Sequence, residues 1–255
     1  MSPTLGAQIW ALRNLLSSNP ARVLEQLAIA GFDSIEPAGF NSVSGKMQGI
    51  ELHVLRNVAD DFGLKMHSGH FPVLEEDTDP ICETALALGM KYVVCPTLVL
   101  PRLVTVDFYK TIADELNRKA EILKVYGLQL VYHNHAFEFE KIEEKLPFDI
   151  LLNETDPSTV FFQADLAWIV KGGYNPPDYF QRYPNRFPLW HIRNEEIDCT
   201  IAPSENQDSI DFQRILNQHK ISGLKHAFIE IVSGLEQPFD ILVSGLRRIK
   251  TLQWP

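Results

Sequence analysis

The sequence predicts an α/β protein, a (β/α)8 TIM barrel built as a single domain over residues 1–255. The length of 255 residues matches the roughly 250 residues typical of such barrels. Short apolar segments alternate with amphipathic ones along the whole chain, which favours parallel strands with helical crossovers. Hydrophobic residues make up 45% of the chain, enough for the large core that this fold requires.

Eight short apolar segments are typical of strands, and amphipathic spacing predicts helices between them. The predicted strands are 4–9, 33–36, 64–68, 91–95, 128–133, 159–164, 187–191 and 226–231. The predicted helices are 20–31, 49–63, 79–89, 106–127 and 209–219. Several helices end at a glycine directly before the next strand, as in AGFDSIE and YGLQLVY, because glycine readily adopts the left-handed conformation of a helix C-cap.

Charge and cysteine content narrow the classes of function. Lys and Arg number 23 against 33 Asp and Glu, a formal net charge of -10, so nucleic acid and anionic membrane surfaces are not expected partners. Cys82, Cys95 and Cys199 are widely spaced and form no CxxC pair, which argues against a disulfide framework or a thiolate zinc site. We therefore expect a soluble cytoplasmic protein, with no targeting or membrane-spanning segment.

Four apolar segments near the end of the chain each carry a residue of metal-ligand type where the strand ends. These residues are His133, Asp165, His191 and Glu230, in the runs YHNHAFEFE, QADLAW, LWHIRNE and FIEIV. Each interval is close to one strand-plus-helix unit of about 30 residues. Since the carboxyl ends of barrel strands meet at one mouth, this spacing predicts a metal site there.

The same runs resemble the xylose-isomerase-like TIM-barrel superfamily, specifically its sugar phosphate isomerase/epimerase branch. The resemblance extends over nearly the whole chain, through GAQIWALR, AGFDSIEPAGF, GLKMHSGHF, ALGMKYVVCP, QADLAWIVKGGYNP and LWHIRNE, and YHNHxFEF is its most specific part. It implies a divalent-metal-dependent isomerase or epimerase acting on a sugar, either a ketose or a sugar phosphate. The reaction would pass through an enediolate at the C-terminal mouth of the barrel.

The resemblance also implies the residues of the site. Asp165, His191 and Glu230 match three metal ligands, and the fourth is either His133 or Glu138; we prefer Glu138. Carboxylates and imidazoles without sulfur suit Mn²⁺, Mg²⁺, Co²⁺ or Zn²⁺, and manganese is our first choice. The cation would act as a Lewis acid on a ketose.

Proton transfer and substrate contact are assigned to residues around the ligands. Glu138 and Glu230 would stand on opposite faces of the sugar, one removing a proton and the other returning it, as an epimerisation requires. Glu36 and His70 would hold hydroxyls or assist as acid and base. The predicted substrate contacts are His133, His135, Trp10, Trp168 and Arg193, with Arg102 and Arg193 as candidate anion holders.

Each of these residues also has a structural explanation. Asp165 could cap a helix, Glu36 could pair with a cation at the rim, and Trp168 could belong to the core. We interpret His53, His219 and His226 as solvent-facing or structural. The strand-seven run reads His-Ile-Arg-Asn where relatives usually have His-x-Lys-Asp, which puts the charge of that loop in doubt.

The sequence allows two other functions and disfavours a third. A dehydratase or lyase acting on keto-sugars or keto-inositols could use the same metal site, and a degenerate barrel could bind carbohydrate without catalysis. An endonuclease IV-type repair enzyme is disfavoured, because Trp168 and Cys95 stand where it would need histidines. The identity of the sugar, its phosphorylation, the metal and the oligomeric state, possibly a homo-oligomer, stay open.

Overall fold

The computed structural model describes residues 3–193, 211–231 and 236–254. Eight parallel strands form a nearly closed barrel with helices around it, which confirms the predicted fold class. The strands are β1 (Thr4–Gln8), β2 (Ser34–Glu36), β3 (Ser68–His70), β4 (Tyr92–Cys95), β5 (Gln129–His133), β6 (Val160–Asp165), β7 (Leu189–Arg193) and β8 (His226–Glu230).

Hydrogen-bonded neighbours run in the order β2-β1-β8-β7-β6-β5-β4-β3. The barrel closes between β2 and β3 through an isolated bridge of Ser34 to Lys65, where the Ile35 N–H donates to the Lys65 carbonyl at 2.8 Å. In the register of β6, β7 and β8, His191 pairs with Asp165 and with Phe228, and Arg193 pairs with Glu230. This register brings the ends of the last three strands to the same level.

The helices pack outside the strands. They are α1 (Arg13–Ser18), α2 (Pro20–Ala30), α3 (Leu52–Asp61), α4 (Thr78–Ala87), α5 (Val106–Val125), α6 (Pro147–Glu154), α7 (Leu166–Lys171), α8 (Pro176–Arg182), α9 (Phe212–Leu216), α10 (His219–Ser222) and α11 (Pro238–Thr251). Side-chain caps begin several of them; the Asn19 side chain, for example, accepts from the Arg22 N–H at 3.0 Å. Within the described ranges, no helix combines the length and apolar character needed to cross a bilayer.

The third strand departs from the prediction. We expected it at 64–68, but the ladder to β4 covers Ser68–His70. The segment before it lies at the seam where the barrel closes, and there it pairs only through the bridge at Lys65. Its apolar residues Leu64 and Met66 are nevertheless buried, which explains why hydrophobicity alone placed the strand too early.

Several elements were missed by the prediction. Three helices, α6, α8 and α11, begin with proline, which suits the first helical position because it needs no N–H there. A small antiparallel sheet of Phe40–Asn41, Lys46–Met47 and Ile50–Glu51 follows β2, and strands of two residues are too short to give a periodic signal. The helix expected over 209–219 is α9 followed by α10; 209–210 lie outside the described residues.

A compact apolar cluster fills the barrel below the mouth. Tyr92, Val94, Val131, Leu189 and Phe228 are buried together there. Packing is tight enough that β1 needs a glycine, since a Cβ on Gly6 would lie 2.5 Å from Phe228 Cδ1. This cluster separates the polar mouth of the barrel from its base.

Candidate active site

The site lies at the carboxyl ends of the barrel strands. Side chains two residues apart on a strand point to the same face, so Gln163 and Asp165 on β6 share the interior with His191 and Arg193 on β7. Asp165, His191 and Gln163 have no exposed surface. The strands therefore bring a dense set of ionisable groups to one enclosed position.

Four of these residues form a group that could hold a metal ion. Ligand-type atoms of His133, Asp165, His191 and Glu230 all lie within 4.8 Å of one another. The His191 Nδ1 is 3.3 Å from a Glu230 carboxylate oxygen, and the His133 Nε2 is 3.9 Å from Asp165 Oδ2. His70 forms a second, overlapping group with His133 and His191.

The pattern of hydrogen bonds leaves the right atoms free for a cation. His191 uses Nε2 on Glu36 Oε2 at 2.5 Å, and His133 uses Nδ1 on the Gln163 side-chain oxygen at 3.1 Å. Such bonds orient a histidine so that its other nitrogen can ligate. His191 Nδ1 and Glu230 Oε2 are buried and make no hydrogen bond that meets the geometric criteria, but they face each other as an ion pair at 3.3 Å; a shared cation could take the place of the proton between them.

The spacing agrees with this fit. Metal–nitrogen and metal–oxygen bonds of about 2.1 Å place neighbouring ligand atoms roughly 3.0 to 3.4 Å apart. The 3.3 Å between His191 Nδ1 and Glu230 Oε2 lies in that interval. Two imidazoles and two carboxylates could thus hold a first-row divalent ion such as manganese, cobalt or zinc.

Glu36 lies behind the site. Its carboxylate is fully buried and accepts from Ser68 Oγ, from Gln163 Nε2 at 2.9 Å and from His191, with His70 Nε2 at 3.2 Å. We assigned Glu36 a direct catalytic contact, but this enclosure makes it a residue that orients His191 and His70. The reason is that both of its oxygens are already bound by the protein.

Gln163 was not identified from the sequence. Its side-chain oxygen accepts from His70 and His133, both at 3.1 Å, and its amide donates to Glu36. Gln163 therefore links three elements of the mouth. The signal available was its position two residues before Asp165, which puts both side chains on the same face of β6.

Of the two fifth-strand candidates, the structure places His133 with the other ligand-type residues, although we preferred Glu138. Glu138 lies outside the four-residue group and His133 lies within it. The Glu138 carboxylate is buried and accepts from the Tyr132 hydroxyl at 2.5 Å and from the His135 N–H at 2.9 Å. The short helical turn Phe137–Phe139 draws the carboxylate back toward Tyr132, so it braces the end of β5.

Arg193 occupies a position that we did not anticipate. Its Nε and Nη2 both donate to Asp165 Oδ2, at 3.1 and 2.8 Å, and Nη2 is 3.6 Å from Glu230 Oε2. The guanidinium stacks on Trp168, 4.1 Å from the ring centroid. Trp168 thus packs against Arg193 and does not line the cavity that we expected both residues to reach.

Asp165 caps a helix and also lies in the group that could hold a metal ion. Its Oδ1 accepts from the Trp168 N–H at 3.0 Å, which caps α7. Its Oδ2 faces Arg193 and the ligand group. Capping and ligation were alternatives in the sequence, and the two carboxylate oxygens allow one residue to serve both.

The charges in the group alter its proton affinities. Burial opposes the charged form of His191, but Glu230 and Glu36 raise its pKa to about 10. Burial likewise opposes ionisation of Glu230, yet His191 and Arg193 lower its pKa to about 2. The pKa of His133 falls well below its usual value because of burial and neighbouring cations. Such perturbed groups concentrate at functional sites.

The group opens into a cavity of about 480 Å³ at the barrel mouth. Five of the residues predicted for the site line it: Trp10, His70, His133, His135 and Glu230. The cavity size is typical of small-molecule sites. His133 and Glu230 belong both to the ligand group and to the cavity wall, so a ligand in the cavity would meet a cation held there.

No family model matches the chain. Among solved structures, a sugar phosphate isomerase/epimerase from Parabacteroides distasonis ATCC 8503 is 25% identical with a TM-score of 0.86, covering 100% of this chain and 96% of the other. A D-allulose 3-epimerase from Methylomonas sp. has a TM-score of 0.71 at 14% identity, covering 98% and 97%. This second likeness concerns the fold alone.

Curated relatives match a shorter segment. An inosose dehydratase of Geobacillus kaustophilus (strain HTA426) is 30% identical over 105 residues, which is 41% of this chain and 33% of that protein. The matched segment thus spans about a third of the curated relative. Together with the solved neighbours, it confirms the predicted resemblance to xylose-isomerase-like TIM barrels. The relatives are enzymes of more than one reaction type, so the fold does not choose among them.

Proposed function

We propose that the protein is a divalent-metal-dependent enzyme that removes a proton next to the carbonyl of a polyhydroxylated ketone. The observation that carries this proposal is the double role of Glu230, which belongs to the ligand group and also lines the cavity. A substrate held in the cavity would meet a carboxylate and a cation at once. That combination is what formation of an enediolate requires.

His133, Asp165, His191 and Glu230 would hold the cation, for which manganese remains our first choice. When bound, the cation would polarise the carbonyl and stabilise the negative charge that develops as the proton leaves. Asp165 and Glu230 are already ionised in part by their contacts with Arg193 and His191. The protein therefore supplies a negative, preorganised cradle.

The acid and base are residues that face the cavity. Glu230 is one, and its low pKa keeps it ionised at neutral pH. His135 is a second, because it lines the cavity with a buried Nδ1 that has no partner and burial lowers its pKa to about 4. A neutral imidazole can accept the carbon-bound proton and, once protonated, return it or exchange it with solvent, so His135 replaces Glu138 in our two-residue scheme.

Two outcomes share this first step. Return of the proton gives an isomer or epimer, which remains our first candidate. Loss of a hydroxyl from the adjacent carbon gives a dehydrated product, and the similarity to inosose dehydratases favours this second candidate. Both begin with exchange of the same carbon-bound proton.

The test is proton exchange in deuterated water. Protein stripped with a chelator is reloaded with Mn²⁺ and incubated with D-fructose, D-psicose and 2-keto-myo-inositol. We expect deuterium to enter the carbon beside the carbonyl, detected by NMR, and the exchange to require the metal. An ultraviolet-absorbing product without deuterated substrate assigns the dehydratase.

Glu230→Gln should abolish this exchange while the protein stays folded. Glu25→Gln is the control. It removes the same charge at a position away from the mouth, because Glu25 is exposed on α2. Equal exchange by Glu230→Gln and Glu25→Gln would contradict the proposed role of the cavity carboxylate. Absence of exchange with every metal-loaded probe would contradict the proposed function itself.

A further inference from the structure

The cavity is lined by polar and by aromatic side chains. Histidines and Glu230 form its polar wall, and Trp10, Phe40 and Phe71 supply aromatic surface. Phe40 and Phe71 contact each other with ring centroids 5.5 Å apart. A ring or chain with hydroxyls on one side and C–H bonds on the other matches such a cavity.

The position of Trp10 is fixed by the backbone beneath it. Gly39 has a φ of +73°, and a Cβ there would lie 2.6 Å from Trp10 Cζ3. The indole therefore lies directly on a peptide that only glycine accommodates well. Trp10 is nevertheless 44% exposed, so part of its ring is available to a ligand.

Among the described residues, the cavity wall includes carboxylates but neither lysine nor arginine. Glu230 stands at the polar wall and Glu75 at the rim. Phosphate groups in proteins are held by arginine, lysine or backbone N–H groups at helix N-termini. A phosphate in this cavity would instead face the carboxylate of Glu75, since the charge of Glu230 would be offset by the cation that we propose it holds.

Arg102 and Arg193, the two predicted anion holders, are not placed to bind a phosphate in the cavity. Arg193 directs two donors at Asp165 and stacks on Trp168, so its charge is matched inside the protein. Arg102 is exposed in the loop after β4 and is absent from the described wall. The helix after β8 begins at Pro238, which lacks an N–H, and carries Asp240 in its first turn.

Two segments outside the described residues, 194–210 and 232–235, also lack cationic side chains. Residues 194–210 contain five acidic residues and no lysine, arginine or histidine. Residues 232–235 read Val-Ser-Gly-Leu and contain no charged residue. Neither segment, whatever its conformation, can supply a cationic side chain for a phosphate.

We infer that the site takes an uncharged polyhydroxylated ketone, a free ketose or keto-cyclitol, and discriminates against phosphate esters of the same compound. This inference rests on the proposed function and names its substrate class. The inferred substrate class differs from the sugar phosphates after which the sugar phosphate isomerase/epimerase neighbour is named. Glu75 is the rim residue that sets the discrimination, because it is exposed and on the wall.

The experiment compares matched probes on the Mn²⁺-loaded protein. Solvent-exchange rates are measured for D-fructose and D-fructose 6-phosphate, and for D-psicose and D-psicose 6-phosphate. We expect kcat/KM to favour the free ketose by about 100-fold, since like charges brought together cost several kcal/mol. Equal or faster exchange of the phosphate esters overturns the inference and leaves the proposed function standing. Absence of exchange in all probes contradicts the proposed function.

Charge reversal at the rim provides the second arm. Glu75→Lys should raise the ratio of phosphate-ester to free-ketose kcat/KM by about tenfold, because it replaces repulsion with attraction. Glu25→Lys makes the same charge change on the outer face of α2 and should leave the ratio unchanged. An identical ratio in wild type and Glu75→Lys overturns the assignment of Glu75.

Discussion

The mouth and the base of this barrel each contain buried or half-buried histidines, but in opposite electrostatic settings. At the mouth, His191 lies between Glu36 and Glu230. At the base, His67 and His226 stack face to face, with ring centroids 3.8 Å apart and an interplanar angle of 10°. Burial disfavours the charged imidazole in both places, so nearby carboxylates decide the outcome.

The resulting pKa values lie far apart. Burial and the neighbouring His67 lower the pKa of His226 to about 3, whereas Glu230 and Glu36 overcome burial and raise that of His191 to about 10. The apolar cluster around Phe228 lies between the two sets. The base is thus a neutral structural contact, and the mouth is a charged site whose residues could hold a cation.

The largest expected effect is on stability at the mouth. Glu36→Gln removes one of the two carboxylates that face the buried His191 and leaves it with Glu230. Removing one partner of a buried ion pair costs roughly 3 to 5 kcal/mol, and we expect this loss in urea denaturation of the metal-free protein.

Two control variants should lose less stability than Glu36→Gln. Ser68→Ala removes one hydrogen bond to Glu36 and no charge, for which we expect about 1 to 3 kcal/mol. Glu51→Gln breaks the ion pair between Lys46 and Glu51, and the Glu51 side chain is 51% exposed. This substitution should lower the stability by less than about 1 kcal/mol. Similar losses for Glu36→Gln and Glu51→Gln would mean that the buried network lacks the charge we assign to it.

The second effect concerns the fourth ligand. His133→Ala should weaken Mn²⁺ binding, measured by titration calorimetry, by at least about 100-fold, the upper end of what outer-shell changes produce. Glu138→Gln should leave the affinity nearly unchanged, since its carboxylate is bound to Tyr132 and His135. The reverse order of the two variants would restore Glu138 as the ligand.

Arg193 tests whether a guanidinium competes with the metal. Both of its donors use Asp165 Oδ2, the oxygen nearest His133. Arg193→Met should therefore tighten Mn²⁺ binding about tenfold, or about 1.4 kcal/mol, while lowering the stability of the metal-free protein.

Arg186→Met is the matched control for this variant. Arg186 is also buried and also stacks on an aromatic ring, 5.2 Å from Phe162. It donates to the Leu152 carbonyl and the Thr155 hydroxyl and not to an acid. It should change stability and leave Mn²⁺ affinity as in wild type; unchanged affinity in both variants would exclude competition by Arg193.

The smallest effect is the pH dependence of the base. The pKa of His226 falls from 6.5 to about 3 on folding, so its contribution to stability is fully present above 6.5 and is lost as the pH falls toward 3. His226→Gln should reduce the slope of stability against pH in that window by up to about 1.4 kcal/mol per pH unit.

His53→Gln controls for the loss of a histidine, because His53 is exposed on α3. Urea denaturation at a series of mildly acidic pH values measures the slope. An unaltered slope in His226→Gln would remove the distinction between a neutral base and a charged mouth.

The sequence by itself determined the barrel and three of the ligand-type residues. Strand and helix periods are local, and the repeat length puts Asp165, His191 and Glu230 at equivalent strand ends. The same locality explains the errors, such as the early placement of the third strand, since pairing at the barrel seam is a contact between distant segments.

Tertiary structure decided the rest. Glu36 and His191 are 155 positions apart in sequence, and Gln163 and Glu36 are 127 apart, so no local pattern reveals their bond. That His133 and not Glu138 lies in the ligand-type group depends on the tyrosine that binds the Glu138 carboxylate. Residue type and spacing set which groups reach the mouth, but their hydrogen bonds and charges are fixed only when eight strands converge.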